Sequence, residues 1–544
     1  MEIQHYATWW EVLADEIGDR DALIHGELHR SWHDFDDRAA RLAAAFTGAG
    51  AGVGSKVALY LFNGPEYLEA NSAALKMRAV AVNVNYRYLD DELAYLLTDS
   101  EAEILVFHRS LGDRVARVVE RLPGLRLLVE VDDGAPPEGP EHVPGAVGFE
   151  DLVAGHDPLP RIDRPADDPV MLYTGGTTGM PKGVVTSVGA QIASLMATSL
   201  ASVGATMPGS PAELLATFEK IEAANGRFVS IPACPLMHGT GLWLGAMIPL
   251  LGGGAVVTLE GRSLDGDELW AAVGREGVTQ MAIVGDAFAR PLLRSLDAAR
   301  DAGRPHDTGS MSRLISSGAM LSAESRRSLL EHIPQMMILD VLGSTETGIG
   351  VQIVVAGHEP ETGVFTPMPT TRVLTELGVP VTPGSGEIGF IAVAQPTTQG
   401  YFKDEAKTAT LLREYDGVRY AVTGDMATVD ADGSIRLLGR GSQCINTGGE
   451  KVYPEEVEEA VKRTEGVDDC LVVGVPDDRF GERVVAVVAA SAEPALTEAD
   501  VLTSVRAQLS AFKAPKQVIF VDEVPRAPNG KADYKRAKAL AAGG

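Results

Sequence analysis

Basic residues are scarce in this chain relative to acidic ones. Forty-seven lysines and arginines stand against 75 aspartates and glutamates, which gives a formal net charge of -28. The sequence contains no basic tail and no block of lysine and arginine that would follow the phosphate backbone of a nucleic acid. We therefore expect no nucleic-acid partner.

Cysteine is rarer still, with three residues in 544. Cys234, Cys444 and Cys470 form no CxxC pair and have no histidine-rich neighbourhood, so the pattern of a zinc site is missing. So few cysteines fit a reducing compartment better than an oxidising one. We expect a cytoplasmic protein.

Signals for secretion or membrane insertion are also missing. The first residues are acidic and lack a basic segment followed by an apolar one, so we expect no signal peptide. The uncharged run from Leu242 to Leu259 is long enough to span a bilayer. Because Pro249 and the glycines at 252–254 interrupt it, we interpret it as a buried helix, turn and strand, and expect no integral membrane segment.

The composition and the hydrophobic pattern predict a large globular protein of the α/β class. Apolar residues make up 45% and charged residues 22% of the chain. Helical segments alternate with short apolar runs from Tyr6 to about Leu128, and again from Val170 to about Ile338. Short alternating runs at 363–438 predict a β-rich subdomain, and the remainder predicts a small α+β domain. The large N-terminal body thus has two α/β subdomains plus the β-rich one.

One segment carries the chemistry of polyphosphate binding. Residues 173–184 read YTGGTTGMPKGV and follow a strand-like run. Glycines let backbone N–H groups approach phosphate oxygens, the threonine hydroxyls add donors, and Lys182 adds positive charge. The spacing GxxxxGK[ST] of a P-loop NTPase cannot be placed on this segment, since the lysine follows a proline and precedes a glycine.

This segment resembles the phosphate loop of the adenylate-forming superfamily, which includes acyl-CoA synthetases, firefly luciferase and the adenylation domains of peptide synthetases. Further motifs occur in the family's order along nearly the whole chain. They are PLMHGTG (235–241), SSGAML (316–321), LGSTE (342–346), TGD (423–425), GRGSQCINTGGEKVYPEEVE (439–458) and PRAPNGK (525–531). The resemblance implies an ATP-dependent acyl-CoA synthetase that works through an acyl-adenylate.

The resemblance also implies which residues bind ATP. The α-phosphate would be contacted by Thr345, and Mg²⁺ by Glu346. Asp425 and Arg440 would bind the ribose, because a carboxylate accepts from two hydroxyl groups at once. The wall of the adenine slot would be Ser317, Gly318 and Ala319. The β- and γ-phosphates would be held by Thr174, Gly175, Gly176, Thr177, Thr178, Gly179 and Lys182.

In the family, the C-terminal domain is mobile and serves both half-reactions. The resemblance makes Lys531 the catalytic lysine that bridges the carboxylate and the α-phosphate during adenylation. Gly448 and Gly449 match the glycines that line the pantetheine channel of coenzyme A after this domain rotates about Ser442. We therefore predict an N-terminal adenylation domain at 1–441 and a mobile C-terminal domain at 442–544.

The chain departs from the family's usual residues at three places. Leu342 stands where an aromatic residue commonly stacks on adenine, and Gly175 replaces a serine in the phosphate loop. Ser442 and Gln443 replace a charged hinge pair. These changes bear on the affinity for the base and on the charge interactions of the hinge.

The acid substrate is expected to be lipophilic. His238, Trp243 and Gly343 resemble residues that gate or line the acyl pocket, and Met237, Met247 and Ile248 make the neighbourhood apolar. The overall pattern resembles bacterial fatty-acid synthetases and their relatives that act in sterol side-chain degradation. The sequence does not separate these two substrate types.

Two other functions remain open at this stage. One is an acyl-AMP ligase that delivers its adenylate to a carrier protein, although the chain ends 13 residues after Lys531 and leaves no room for a carrier domain of its own. The other is a non-catalytic nucleotide-binding regulator, which would not require Lys531. The sequence also leaves open whether the chain acts alone or as a homodimer.

Overall fold

The structure is a computed structural model of the chain. It describes residues 3–135, 142–174, 180–358, 360–447, 450–477, 481–491, 496–509, 511–527 and 530–543. We call residues 3–440 the N-terminal body and residues 445–543 the C-terminal region.

The first part of the N-terminal body is a parallel sheet with helices packed on it. A hairpin of β1 Asp21–His25 and β2 Leu28–Ser31 comes first in the chain and lies outside this sheet. The strands of the sheet are β3 Lys56–Tyr60, β4 Val80–Asn83, β5 Ala102–His108, β6 Leu127–Val131 and β7 Ala146–Gly148. Its helices are α1 Tyr6–Ile17, α2 Trp32–Gly48, α3 Pro65–Lys76, α4 Asp90–Asp99, α5 Gly112–Val118 and α6 Phe149–Gly155. The sheet order is β4-β3-β5-β6-β7, and all neighbouring pairs are parallel.

The second part contains the phosphate segment and the strands beneath the site. Its strands are β8 Pro169–Thr174, β9 Lys182–Ser187, β10 Val229–Pro232, β11 Ala255–Thr258, β12 Gln280–Ile283, β13 Arg313–Ser317 and β14 Met337–Gly343. Its helices are α7 Val188–Ser202, α8 Pro211–Asn225, a π-helix at Thr240–Met247, α9 Ile248–Leu251, α10 Gly266–Glu276, α11 Gly285–Asp301 and α12 Ala323–His332.

The third part is antiparallel and rich in strands. These are β15 Gly348–Val354, β16 Val364–Pro367, β17 Thr371–Leu374, β18 Gly389–Ala394, β19 Thr398–Tyr401, β20 Leu412–Tyr415, β21 Val418–Val429 and β22 Ile435–Arg440, with helix α13 Glu405–Leu411. A one-turn 3₁₀ helix at Gly441–Gln443 leads out of this part.

One sheet joins the second and third parts. Its order is β17-β18-β21-β22-β16-β15-β14-β13-β12-β10-β11-β1-β2, with β20 beside β21. Pairing is parallel from β14 to β1 and antiparallel from β14 to β17. The loops that follow β13 and β14 therefore open at the same edge of the sheet, where ligands bind in α/β folds.

Several strand pairings depart from simple sequence order, among them the following two. The hairpin β1-β2 joins the large sheet through β11, although it precedes β3 in the chain. The strand β8 belongs to a separate small sheet of order β19-β9-β8. This small sheet brings Tyr401, at the end of β19, next to the phosphate segment.

The C-terminal region is an α+β unit, as predicted. Its strands are β23 Ile445–Thr447, β24 Glu450–Val452, β25 Val467–Asp477, β26 Gly481–Ala490 and β27 Gln517–Val521, and its helices are α14 Pro454–Lys462, α15 Glu498–Gln508 and α16 Tyr534–Gly543. The sheet order is β24-β23-β26-β25, with β27 parallel to β26. Buried valines on both faces of β25 and β26 supply its core. With the N-terminal body, this region confirms the predicted fold class.

The apolar run from Leu242 to Leu259 forms buried structure, as predicted. It contains most of the π-helix, then α9, and then β11 after a turn at which Gly253 has a φ of +66°. Within the described ranges, we find no helix with the length and apolarity needed to cross a membrane.

Candidate active site

The predicted phosphate segment connects two paired antiparallel strands. Thr174 ends β8, Lys182 begins β9, and these two residues are cross-strand partners. The phosphate loop of a P-loop NTPase leads into a helix, whereas this segment leads into a strand. The rest of the predicted phosphate ligands lie outside the described residues: Gly175, Gly176, Thr177, Thr178 and Gly179.

Lys182 is held at the base of this segment by an acidic partner. Its ammonium group forms an ion pair with the carboxylate of Asp404. Asp404 also caps α13, because its second oxygen accepts a hydrogen bond from the Lys407 backbone N–H at 2.9 Å. The Lys182 contact and this cap lower the pKa of Asp404. A bound phosphate would therefore have to replace Asp404 as the partner of Lys182.

Thr345 and Glu346 lie in the tight turn between β14 and β15. The Ser344 N–H donates to the Thr347 carbonyl oxygen at 2.9 Å, and the Glu346 N–H donates to the Ser344 hydroxyl at 3.3 Å. The hydroxyl of Tyr401 donates to Glu346 Oε1 at 2.7 Å. One carboxylate oxygen of the predicted metal ligand is thus held in place by a neighbouring strand.

The predicted ribose ligands face each other across two strands. Asp425 of β21 and Arg440 of β22 are cross-strand partners, and Arg440 Nε lies 3.4 Å from Asp425 Oδ1. The Thr423 hydroxyl donates to Asp425 Oδ2 at 2.6 Å. This places a carboxylate and a guanidinium side by side, which suits a polar ligand with adjacent hydroxyl groups.

Ser317, Gly318 and Ala319 follow β13 at the edge of the sheet. Ser317 is the last residue of β13, and its hydroxyl donates to the Val341 carbonyl oxygen at 2.8 Å. Gly318 has a φ of +86°, a conformation that side chains with a Cβ rarely adopt. A Cβ at this position would lie 3.3 Å from Lys531 Cε. Lys531 of the C-terminal region therefore reaches the N-terminal body at the predicted adenine wall.

The charged side chains around Lys531 are ones predicted to bind ATP or Mg²⁺. Desolvation by neighbouring protein atoms lowers the pKa of Lys531, although the residue as a whole is exposed to solvent. The positive charge of Arg440 lowers this pKa further, whereas Glu346 and Asp425 raise it. These four side chains from distant motifs therefore influence one another at one site.

His238 lies close enough to this site to sense the charge of Lys531. Burial lowers the pKa of His238 to about 4, with further lowering by the positive charges of Lys531 and Arg87. The ring is therefore neutral at physiological pH. Its Nε2 atom is buried and has no hydrogen-bond partner in the described part of the chain. A neutral imidazole with an unused nitrogen suits contact with a ligand rather than a purely structural role.

A narrow cavity of about 40 Å³ connects the Thr345 turn with Trp243 on the π-helix. Gly343 ends β14 two residues before Thr345. Most of the lining is apolar, and it includes Leu59, Leu75, Ala81, Val170, Met171, Leu172, Val184, Leu242, Trp243 and Met247. Polar side chains also contribute to the lining, namely Tyr6, Tyr67, Asn71, Asn83, Thr186, Gln191 and Thr345.

Two predicted residues of the second half-reaction lie outside the described part. These are Gly448 and Gly449. The strands on either side of them, β23 and β24, are antiparallel, and Thr447 pairs with Glu450. The predicted contact with pantetheine stays a prediction.

Comparison with known proteins decides the family. Residues 10–402 match the family described as AMP-binding enzyme, and residues 456–531 match the AMP-binding enzyme C-terminal domain. The chain belongs to the AMP-binding enzyme family. A curated relative from Mycolicibacterium smegmatis, medium/long-chain-fatty-acid–CoA/3-oxocholest-4-en-26-oate–CoA ligase, is 40% identical over 96% of this chain and 94% of the relative. The 3-oxocholest-4-en-26-oate–CoA ligase of Rhodococcus rhodochrous is 38% identical over 96% and 93% of the two chains.

Solved structures of this AMP-binding family have the same fold. The ATP-bound crystal structure of MatB from Rhodopseudomonas palustris has a TM-score of 0.80 and is 27% identical, covering 99% of each chain. With the relatives, this confirms two predictions: the adenylate-forming fold, and an AMP-forming ligase that converts an acid to its acyl-CoA thioester. The relatives are named as CoA ligases, which favours that function over delivery to a carrier protein or a regulatory role.

Sequence reasoning missed several residues of this AMP-binding enzyme. Tyr401 and Asp404 carry no motif of their own, and they reach Glu346 and Lys182 only because β19 pairs with β9. No local signal in the sequence marks them. Leu342, where the family commonly has an aromatic residue, is half-buried and packs against the core of the antiparallel strands.

Proposed function

We propose that this AMP-binding enzyme activates a lipophilic acid, either a medium- to long-chain fatty acid or a sterol side-chain acid. The single observation that carries this proposal is the mostly apolar cavity that begins at the Thr345 turn and passes Trp243. Burying an acyl chain there would contribute about 0.8 kcal/mol per CH₂ group. The relatives named above act on these two kinds of acid, which supports the same choice here.

The cavity has to widen before such an acid enters. At about 40 Å³ it is far smaller than a long acyl chain. Trp243 lies on a π-helix, a rare form that occurs frequently at functional sites. We assign Trp243 the role of a gate and His238 that of a neutral residue beside the reacting carboxylate.

The polar part of the lining favours the sterol side-chain acid. Asn71 is 6% exposed, and its Oδ1 atom has no hydrogen-bond partner within the described residues. The Tyr6 hydroxyl donates to Gln191 Oε1 at 2.9 Å, which uses the acceptor of that amide and leaves its NH₂ group as a donor. A buried amide without a partner costs about 1–3 kcal/mol. A hydroxyl on the acid would donate to Asn71 Oδ1 and relieve that cost, and a ketone would accept from the Gln191 NH₂ group. A plain fatty chain has neither group.

The first half-reaction joins the acid to AMP. A carboxylate oxygen of the acid bonds to the α-phosphorus, and the bond from that phosphorus to pyrophosphate breaks. We assign Thr345 as donor to the α-phosphate, and Lys531 as the cation that neutralises both reacting anions as charge develops. Asp425 and Arg440 hold the ribose, with Ser317, Gly318 and Ala319 beside the adenine. Thr174, Lys182 and the segment between them hold the two leaving phosphates.

Mg²⁺ fits at Glu346. This ion usually binds proteins through one or two carboxylates and completes its shell with substrate phosphates and waters. Glu346 supplies such a carboxylate at the turn that also carries Thr345, and its orientation is fixed by Tyr401. When bound, Mg²⁺ would neutralise charge on the phosphate oxygens.

The second half-reaction transfers the acyl group to coenzyme A. The thiol sulfur bonds to the acyl carbon as its proton leaves, and the bond from that carbon to the AMP oxygen breaks. We propose that residues 442–544 rotate about Ser442 relative to residues 1–441 for this step. Lys531 then leaves the site, and Gly448 with Gly449 borders the pantetheine arm. Alternation of this kind separates two reactions that need different groups at one centre.

We also propose that the enzyme works in the cytoplasm. Cys234, Cys444 and Cys470 form no disulfide within the described residues, and two of them are buried. Cysteines without disulfides are usual in a reducing compartment.

Release of pyrophosphate tests the proposal directly. Pyrophosphate should appear only with ATP, a divalent cation and a lipophilic acid, and acyl thioester only when coenzyme A is added. The panel should contain acetate, octanoate, palmitate and a sterol side-chain acid with a ring ketone. A kcat/KM that is highest for the sterol acid among the acids of this panel would support the proposal. Acetate as the best substrate, or an adenylate that never reaches coenzyme A, would contradict it.

A further inference from the structure

The C-terminal region meets the first turn of α11 through buried charges. Asp286, the second residue of α11, is 2% exposed. Its Oδ1 accepts hydrogen bonds from the Ser322 N–H at 3.0 Å and the Ser322 hydroxyl at 3.1 Å. Its Oδ2 receives no hydrogen bond within the part of the chain that the structure describes. Lys462, the last residue of α14, places its ammonium group 3.7 Å from this oxygen.

From Lys462, a chain of charges leads to the loop that carries Lys531. Lys462 Nζ lies 3.1 Å from Asp469 Oδ1, and Arg526 contacts both oxygens of Asp469 at 2.7 Å. A third nitrogen of Arg526 donates to the Gly530 carbonyl oxygen at 2.9 Å. Gly530 precedes Lys531 directly. The path from α11 to the predicted catalytic lysine is thus continuous.

Burial makes this chain sensitive to the loss of any member. Although burial alone would raise it, the charges of Lys462 and Arg526 hold the pKa of Asp469 at about 2. Burial lowers the pKa of Lys462, but Asp469 and Asp286 outweigh that effect and raise it. Charges in such a setting remain stable only with partners in place.

Few of these contacts cross from one part of the protein to the other. Lys462, Asp469 and Arg526 all belong to the C-terminal region and would move with it as a unit. The Asp286–Lys462 ion pair crosses the boundary, as does a hydrogen bond of 3.4 Å from Arg290 to the Val467 carbonyl oxygen. A rotation of the C-terminal region would break these crossing contacts and preserve the internal ones.

We propose that Asp286 and Lys462 form the contact that positions the C-terminal region for adenylation, and that Asp469 and Arg526 transmit this constraint to Lys531. All four are positioning residues, since none of them touches a reacting atom. The proposal rests on the role of Lys531 given under the proposed function. It predicts a selective defect: adenylation depends on the contact, whereas thioester formation takes place after the contact has opened.

The test measures each half-reaction separately in Asp286→Asn and in Lys462→Met. Asp286→Asn keeps the size of the side chain and the acceptor for Ser322. Single-turnover pyrophosphate release should slow by about thirtyfold or more, the lower end of the scale for removing one partner of a buried charge pair. Thioester formation from supplied acyl-adenylate should stay within about twofold, because the broken contact has no part in that pose.

Asp297→Asn is the matched control. Asp297 lies on the same helix α11, and it pairs with Arg300 at 2.6 Å and His332 at 3.0 Å inside the N-terminal body. The same substitution there should leave both half-reactions unchanged. A merely structural loss would appear as a fall in both half-reactions together.

The double variant Asp286→Asn/Lys462→Met adds a second test. If the two side chains act through one contact, adenylation by the double variant should be no slower than by the slower single variant. Additive losses would overturn the proposal, as would equal slowing of both half-reactions in each single variant. Failure of the proposed function is a separate outcome, in which the unmodified enzyme forms no acyl thioester or Lys531→Ala adenylates normally.

Discussion

Gly318 and Lys531 touch across the boundary between the two parts of the enzyme. A Cβ on Gly318 would lie 3.3 Å from Lys531 Cε and 3.6 Å from the Thr240 hydroxyl oxygen. Gly318 also has a φ of +86°, so the backbone conformation and the space both call for glycine. The position of the lysine therefore depends on a residue with no side chain.

Gly318→Ala should impair adenylation. The left-handed backbone costs a residue with a Cβ about 1–2 kcal/mol, and the new methyl group also presses on Lys531. We expect single-turnover pyrophosphate release to fall by about tenfold or more. Gly303→Ala is the control, because Gly303 has a φ of +68° but open space around it. A similar loss of adenylation in both variants would show that strain alone, and not contact with Lys531, is responsible.

Lys531→Ala should separate the two half-reactions. By analogy with the loss of one preorganised donor, adenylation should slow by about a hundredfold to a thousandfold, or about 2.7–4 kcal/mol. Thioester formation from supplied acyl-adenylate should be nearly unchanged. Stopped-flow measurement of both steps checks this, with Lys535→Ala, an exposed lysine of α16, as the control. Equal slowing of both steps would make Lys531 a structural residue.

Tyr401→Phe should weaken the use of MgATP. The variant loses the hydrogen bond to Glu346 Oε1 but keeps the ring. A hydrogen bond to a charged group contributes about 1.5–3 kcal/mol, and partial exposure favours the lower end. We expect kcat/KM for ATP to fall by about tenfold, with a higher Mg²⁺ requirement. Tyr415→Phe, in the antiparallel strands and remote from Glu346 in the sheet, should have no effect. An unchanged Mg²⁺ requirement in Tyr401→Phe would contradict the assignment of Glu346.

The short motifs could be predicted from the sequence because each is local. Glycines and threonines around Lys182, and the dipeptide Thr345-Glu346, keep their spacing whatever the fold. The α/β alternation that runs to about Ile338 covers the strands β12 and β13, and Ser317 ends β13. The fold class and the family were therefore available before the structure.

Contacts that depend on strand pairing could not be predicted in this way. Nothing local indicates that Tyr401 approaches Glu346, or that Asp286 meets Lys462 from a segment far away in the chain. The sequence also gives no indication of the buried ion pairs, because a lysine at the end of a helix usually faces solvent. The pairing of the hairpin β1-β2 with β11 could not be predicted either, because the two segments are remote in sequence.

Asn71→Leu should change which acids are used. We expect the unmodified enzyme to prefer a sterol side-chain acid with a ring hydroxyl over the same acid without it, because the buried acceptor Asn71 Oδ1 has no partner within the described residues. The variant should lose that preference by about tenfold or more, since one buried hydrogen bond from the hydroxyl disappears. The acid without the hydroxyl is the internal control, and its kcat/KM should hold or rise. An unaltered preference would remove Asn71 from substrate recognition.

The carboxyl group of Glu455, beside the hinge, predicts that adenylation depends on pH. Glu455 on α14 lies against β22, which we call the hinge strand because it leads to Ser442, and its carboxyl group would clash with any Cβ on Gly439. Burial, with the negative charges of Glu458 and Asp425, raises the pKa of Glu455 from 4.5 to about 8. This pose therefore holds a proton that a solvated glutamate would release. The protonated Glu455 stabilises the adenylating pose, and this stabilisation is complete below pH about 4.5, decreases as the pH rises, and is lost above about 8.

Glu455→Gln should remove this dependence, because the amide stays neutral at every pH. The adenylation rate of the variant, divided by that of the unmodified enzyme, should increase as the pH rises from about 4.5 to about 8 and then level off. Thioester formation from acyl-adenylate should not show this trend, because rotation moves Glu455 away from the hinge strand. Glu498→Gln, on α15 away from the hinge, is the control and should give a flat ratio. A flat ratio for Glu455→Gln as well would mean that its proton is not coupled to the adenylating pose.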